Sequence, residues 1–366
     1  MSERLLVSTR KGLFTVERGA SGWKVAKAEF LGDNVSLALV DRRDGARYAA
    51  LDHGHFGVKL HRCDGKGWEE IATPAYPPKP EGYSEKDMWG RELEWSTARI
   101  WALATGGPDQ PGLLWCGTLP GGLFRSEDRG ASWEIVSALW EQPRRKEWGG
   151  GGADLPGLHS ILVDPRDSHR VWVAVSTGGV WFTADGGESW ENIGQGLRAE
   201  YVPPEMVYDT VWQDVHCLAL CKADPTRMWI QHHNGIFVSS DEGRTFTEIT
   251  DVKPSVFGFP VVCHPENPDR AWFIPGIKDE KRIPLSGKLV VTRTSDGGKT
   301  FEILTEGLPQ EHAYDLVYRH ALDIDESGER LAFGSTTGGL WVSENQGDSW
   351  QEVTHTLPPI YAVCFA

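Results

Sequence analysis

No apolar run in this 366-residue chain approaches the length that crosses a bilayer, and its six cysteines include no C-x-x-C pair. Cys63, Cys116, Cys217, Cys221, Cys263 and Cys364 are scattered, which excludes a thioredoxin-like motif and zinc-finger spacing. They read as small buried thiols, suited to a reducing compartment. The first residues, MSERLLVSTRKGLFTV, carry neither a long apolar core nor a small-residue cleavage site, so the expected location is the cytoplasm. Positive charge is also scarce. Lys and Arg total 37 against 52 acids, a net charge of −15, and the longest basic run is Arg144-Arg145-Lys146. Nucleic acid and anionic membrane surfaces, which are bound through displaced counterions, are therefore not expected partners. Gly149–Gly152 lacks the Lys-Ser/Thr of a phosphate-binding loop and reads as a flexible segment. No G-x-S-x-G nucleophile turn occurs.

What the chain has in quantity is glycine, 42 residues, and tryptophan, 17. Both recur in an octapeptide, S/T-x-D-x-G-x-S/T-W/F. It runs Ser126–Trp133, Thr183–Trp190, Ser239–Phe246 and Thr294–Phe301, and a fifth copy, Ser343–Trp350, has Asn345 in place of the Asp. Degenerate versions end at Trp23 and Trp68, so seven units follow. The spacing has a physical reason. The Asp carboxylate accepts N–H groups of its own turn, the Gly supplies a positive φ, the second Ser/Thr ties the far side, and the aromatic buries between units.

Around each octapeptide the pattern is all β. A Gly-bounded apolar segment precedes it (GGLF, GGVWF, NGIFV, GGLWV), a second lies before that (RVWVAV, RMWIQH, RAWFIP), and a third earlier still (HSILVDP, HCLALCKADP, FPVVCHP). Four antiparallel strands per unit, and no helix, are expected. The N-terminus opens on a second strand, RLLVST, while Pro359–Ala366 is a first strand with nothing after it. Each fragment completes the other. The chain therefore reads as one domain, residues 1–366: a seven-bladed β-propeller closed by its last strand joining the N-terminal blade.

The octapeptides, the Gly-Gly strands and the whole-chain period resemble the BNR/Asp-box superfamily of β-propellers. That superfamily includes sialidases, xyloglucanase-type propellers, sortilin-type receptors and photosystem II assembly-factor propellers. Stretches such as LDHGHFGVKLHR and LPQEHAYDLV are also similar to bacterial proteins labelled sialidase-like or glycosyl-hydrolase-like. The resemblance implies the fold along the whole chain; its motifs are scaffold motifs and imply no activity by themselves. True sialidase activity is not expected. Sialidases of this type have six blades and an early Arg-Ile-Pro, whereas Arg282-Ile283-Pro284 falls late and no arginine triad can be placed.

Chemistry is expected where insertions gather. Ala72–Thr97, Ser137–Leu158 and Leu197–Val215 precede first strands, and Gly276–Gly287 lies between a second and a third strand, all on one predicted face. They carry aromatic residues, among them Trp89, Trp95 and Trp212, able either to stack on sugar rings or to pack the loops. Aligning first strands puts His159, His216 and His320 at equivalent leading positions, with Phe259 in a fourth unit. The turns after second strands add His53, His55 and His233. Converging imidazoles make these six residues candidate ligands for a divalent metal, Zn, Mn, Fe or Cu. Each alone reads better as a hydrogen-bonded structural histidine; it is the set of three equivalent first-strand positions that points to a metal or catalytic role. Glu94 and Asp214 are the candidate carboxylates beside His159, His216 and His320 for acid–base work, and Arg99, Lys278 and Arg282, with Trp95 and Trp212, are candidate substrate contacts. The expected function is a hydrolase or lyase, glycosidase-like, acting on a small sugar-like or anionic ligand. The rival expectation is a non-catalytic scaffold that holds a protein partner.

Overall fold

The computed structural model describes residues 1–366 apart from Met88, Trp89 and Gly152. The reading of Trp89 as a loop aromatic, and the Gly152 end of the glycine run, thus lie outside the described residues. Among the described residues the strands form seven four-stranded antiparallel sheets, the blades of an all-β seven-bladed propeller. Five follow chain order simply: Val35–Val40 to Trp68–Ile71, Gly157–Asp164 to Glu191–Ile193, Val215–Leu220 to Thr247–Ile249, Gly258–Cys263 to Glu302–Leu304, and Leu322–Ile324 to Gln351–Thr354. A sixth runs from Arg99–Thr105 to Glu134–Ile135. In the seventh, Ile360–Phe365 pairs with Arg4–Thr9, Leu5 opposite Phe365 and Val7 opposite Val363, so the expected closure is present.

By contacts the chain falls into two compact units, Met1–Val40 with His216–Ala366, and Asp41–Val215. The first has a core built on Leu5, Val7, Trp272, Phe333, Trp341 and Phe365, all almost fully buried. The second packs Trp115, Val171, Val173, Val175, Trp181 and Trp190. Alternation along Val171–Val175 does not spare polar residues for one face, because a blade is covered on both sides.

The octapeptide turns behave as the sequence predicts. In Ser126–Trp133 the Gly130 amide donates to Ser126 Oγ at 2.8 Å, Ser132 N donates to Asp128 Oδ1 at 2.8 Å, and Ser132 Oγ donates to Asp128 Oδ2 at 2.6 Å. Gly130 takes φ 84°. In the Asn345 copy the amide does the same work: Ser349 N donates to Oδ1 and Nδ2 donates to Ser349 Oγ. In the degenerate copy before Trp68, Cys63 stands where the others have Ser or Thr. Burial pushes its thiol up, but the Gly65 and Gly67 amides and Arg47, 3.1 Å from Sγ, outweigh that and hold it below the ordinary value.

One expectation is corrected: the chain is not free of helix. Ser137–Trp140 makes a single α turn, and short 3-10 turns occupy Gly54–Phe56, Pro143–Glu147, Pro204–Met206, Thr210–Trp212 and Leu285–Gly287. Four of these six lie in the insertions before first strands, where a local turn buries apolar groups such as Leu139, Trp140 and Val211 without a strand partner. No helix among the described residues is long and apolar enough to cross a membrane.

Candidate functional site

The blade that starts at Val215–Leu220 gathers the candidate site at its leading end. His216 is the second residue of that strand and 2% exposed. Asp214, also buried, immediately precedes the strand. Residues two apart on extended chain point to one side, so Asp214 and His216 face the same way. His233, half-buried, sits in the turn between Met228–His232 and Gly235–Ser239 of the same blade. The His233 ring meets the His216 ring, their centres 5.5 Å apart.

Hydrogen bonds fix the role of Nδ1 in His216 and His232. His216 Nδ1 is 2.7 Å from the Gly258 carbonyl, which can only accept, so Nδ1 carries the hydrogen. The neutral ring then keeps its lone pair on Nε2. His232 is arranged the other way: its Nδ1 accepts the Asn234 amide at 3.1 Å, which leaves the hydrogen on Nε2. Of the neighbouring pair, His233 is the one whose ring meets His216 edge-on. The wall beside it is aromatic. His216 stacks on Phe259 with ring centres 4.5 Å apart and planes 14° apart, and it meets Phe257 and His233 edge-on at 5.8 and 5.5 Å.

Two cations border that wall. Buried Arg319 donates from Nε to the His216 carbonyl at 2.8 Å and lies 5.8 Å from the Phe259 ring centre. Arg282 stands 5.4 Å from the same ring centre and is ion-paired with Asp279. The Gly276–Gly287 loop is tied down where the Gly276 amide donates to the Phe257 carbonyl at 2.9 Å. Lys278 pairs with Glu280 at 3.1 Å. Glu280 is held below the usual carboxylate range first by its own amide, then by Lys278, with His233 adding to the effect.

On the Asp214 side, Gly151 approaches so closely that a Cβ there would come within 2.5 Å of Asp214 Oδ1. Its carbonyl is held by Ser176 Oγ at 2.6 Å. The glycine run, read from sequence only as a flexible segment, thus has a specific position to fill. Tyr201 has an exposed ring, but its hydroxyl donates to the Trp212 carbonyl at 2.7 Å; burial first, and then the Asp214 charge, raise that hydroxyl's pKa.

The other predicted residues are placed as follows. His159 is 1% exposed, with Nδ1 2.9 Å from Ser160 Oγ and its ring edge-on to Trp101. His320 lies just before Leu322–Ile324, its carbonyl taking the Val363 amide. His53 caps the Gly54–Phe56 turn, and exposed His55 packs on Phe56 at 3.9 Å. Arg99 is bound to Asp52 at 3.0 Å, beside that turn. Trp95 packs against Tyr83 and Trp140 and donates to Glu85, Trp212 donates to Glu147, and Glu94 is exposed. The roles of Gly151 and Gly258 had no signal in the sequence. They act through backbone approach or through a carbonyl, which residue type does not reveal.

Comparison with known proteins follows the architecture. The BNR-Asp box repeat family matches residues 123–136. An oligoxyloglucan-reducing end-specific xyloglucanase of Emericella nidulans is 24% identical over 265 residues, 65% of this chain and 30% of its own. The chain thus spans about a third of the length of the curated relatives it matches. The GH74 xyloglucanase structure from Xanthomonas campestris aligns with 97% of this chain and 53% of its own at TM-score 0.63 and 17% identity. The structure of YCF48 bound to D1 peptide aligns with 90% of this chain and 84% of its own at TM-score 0.55 and 13% identity. At such identities likeness establishes fold: the chain is a propeller bearing BNR-Asp box repeats, similar to xyloglucanases and to YCF48.

Proposed function

We propose that the chain is a hydrolase or lyase, glycosidase-like, acting on a small sugar-like or anionic substrate at the His216–His233 pair. The observation that carries this reading is the meeting of two imidazoles beside an aromatic wall. The xyloglucanase relatives favour a carbohydrate substrate. Arg319 and Arg282 at Phe259 favour an anionic substituent on it. The imidazole pair would polarise a water or a substrate hydroxyl, with Phe257 and Phe259 limiting access of bulk solvent.

The test is incubation of the purified full chain with neutral xyloglucan oligosaccharides and with acidic oligosaccharides. New reducing ends mark hydrolysis and ultraviolet-absorbing unsaturated ends mark elimination. Activity on at least one class, reduced at least about a hundredfold in His216→Ala, is expected. No product from either class, or full activity in His216→Ala, would contradict the reading. A second reading, a scaffold for a protein partner, is favoured by the likeness to peptide-bound YCF48 and by the exposed aromatics Phe56, Tyr208 and Tyr314.

A further inference from the structure

We infer that the outer edge of the strand Gly22–Glu29 docks an acidic, extended peptide, which pairs with it as a fifth strand of that blade. The inference does not rest on the His216–His233 reading. Gly22–Glu29 is the last strand of its sheet, and no strand pairs with its far side among the described residues. Such an edge offers unpaired N–H and C=O groups to an extended chain that fits. It has eight residues, whereas the other outer strands of the same compact unit, Thr247–Ile249, Glu302–Leu304 and Gln351–Thr354, have three, three and four. Its start is pinned: buried Trp23 donates from Nε1 to Glu344 at 2.9 Å and meets Phe365 edge-on. From Lys24 to Ala28 every residue is exposed. The edge is therefore ordered before a partner arrives, and pairing restricts only the peptide.

The chemistry of the edge selects the partner. The three short outer strands each carry one acid, Glu248, Glu302 or Glu352, and no Lys or Arg. Gly22–Glu29 carries Lys24 and Lys27. A register shift against Gly12–Gly19 decides where they point. Lys27 lies opposite Thr15, Val25 opposite Val16 and Lys24 opposite Glu17, so Ala26 is the extra residue of a bulge. Thr15 and Glu17 share a face of their strand, and the two lysines therefore share that face, about 7 Å apart along the ladder. Glu29, opposite Leu13, is on the same face and pairs with Lys27 at 2.6 Å. An extended peptide with acids two residues apart meets both lysines. Val25, 40% exposed, offers the other face to an apolar residue between those acids.

Lysines and a bulge also guard an edge against chance pairing. Guarding alone calls for neither the extra length nor the exposed Val25. A second copy of the chain is a poorer occupant. Antiparallel self-pairing about the strand centre sets Lys24 of one chain against Lys27 of the other, and each chain carries a net charge of −15.

The experiment is fluorescence polarisation of a labelled synthetic peptide, TVEVEVT, with the full chain, followed by amide hydrogen exchange of the complex. Saturable binding at one peptide per chain is expected, with exchange slowed in Gly22–Glu29 and not in Thr247–Ile249. Lys24→Glu with Lys27→Glu should weaken binding at least about tenfold, since two attractions become repulsions. Lys253→Glu with Lys299→Glu makes the same change of charge at exposed positions elsewhere and should alter binding less than about twofold. The lysine analogue TVKVKVT should bind at least about tenfold more weakly than the acidic peptide. No binding of the acidic peptide, equal binding of the two peptides, or undiminished binding by Lys24→Glu with Lys27→Glu would overturn the inference. Slowed exchange confined to another strand would do so as well, and it decides the matter even if the paired variant fails to fold. Dimerisation that slows exchange in Gly22–Glu29 without peptide would assign the edge to a second copy and overturn it too.

Discussion

Asp185 shows how much a single octapeptide carboxylate does. It accepts Ser189 N at 2.9 Å and the hydroxyls of Ser189 and Thr183, and these bonds hold its pKa at about 2. Asp128, Asp241 and Asp296 are lowered by the same kinds of contact, burial working against the bonds in each. A depressed folded-state value means stability that is fully present above the unfolded value, about 4, and lost as pH falls toward about 2. Asp185→Asn should therefore flatten the dependence of unfolding midpoint on pH across that window, since Asn345 shows that an amide can fill the position without titrating. Asp185→Ala, which leaves the turn without its acceptor, should cost about 1–2 kcal/mol at neutral pH in urea unfolding. A larger effect is expected at Glu85. It pairs with Arg145 at 2.8 Å, both side chains about 5% exposed or less, and Arg145 also lies 3.9 Å from the Trp140 ring centre. Glu85→Ala strands a buried guanidinium and should cost about 3–5 kcal/mol by the same measurement.

At the scale of strands and connections, the Gly-Gly pairs ahead of third strands have a shared cause. Gly179 takes φ 74° and Gly338 φ 91°, and at each a Cβ would overlap the carbonyl of a following connection, Thr210 in one blade and Leu357 in the other. Gly338→Ala combines a left-handed backbone with that overlap and should lower stability by at least about 2 kcal/mol, seen as a lower urea midpoint with an unchanged slope. The repeated Gly-Gly, the octapeptides and the segments between them made the strands and the closure legible, because each signal recurs and errors at one copy are corrected by the others. Insertions have no second copy. Their helical turns went unforeseen, since Ser137–Trp140 is set by where Leu139 and Trp140 can bury rather than by a periodic pattern. The candidate site was legible in part. Aligned first strands pointed to His216, and turn position pointed to His233, whose rings meet edge-on; His159, placed by the same alignment, hydrogen-bonds Ser160. Residue type cannot show that His232 of the His-His pair spends its Nδ1 on a local amide.

For the molecule as a whole, the pairing of Ile360–Phe365 with Arg4–Thr9 is the contact with the longest reach in sequence. Ile360, Ala362, Val363 and Phe365 are all nearly inaccessible to water. Removing residues 360–366 exposes the Arg4–Thr9 edge and forfeits more than about 5 kcal/mol of apolar burial, comparable with the whole stability of a typical domain. The truncated chain is expected to lose its cooperative thermal transition, and to regain it in part when the missing peptide is added. The net charge of −15 bears on ligands too. An acidic surface repels anions at long range, so any anionic substrate depends on local cations, and its affinity should rise with ionic strength as that repulsion is screened. The most direct test of the account is the oligosaccharide assay on the full chain beside His216→Ala and the exposed-site control His355→Ala. The account predicts product from the wild type and from His355→Ala, and at least about a hundredfold less from His216→Ala. No product from the wild type, or full activity in His216→Ala, would contradict it.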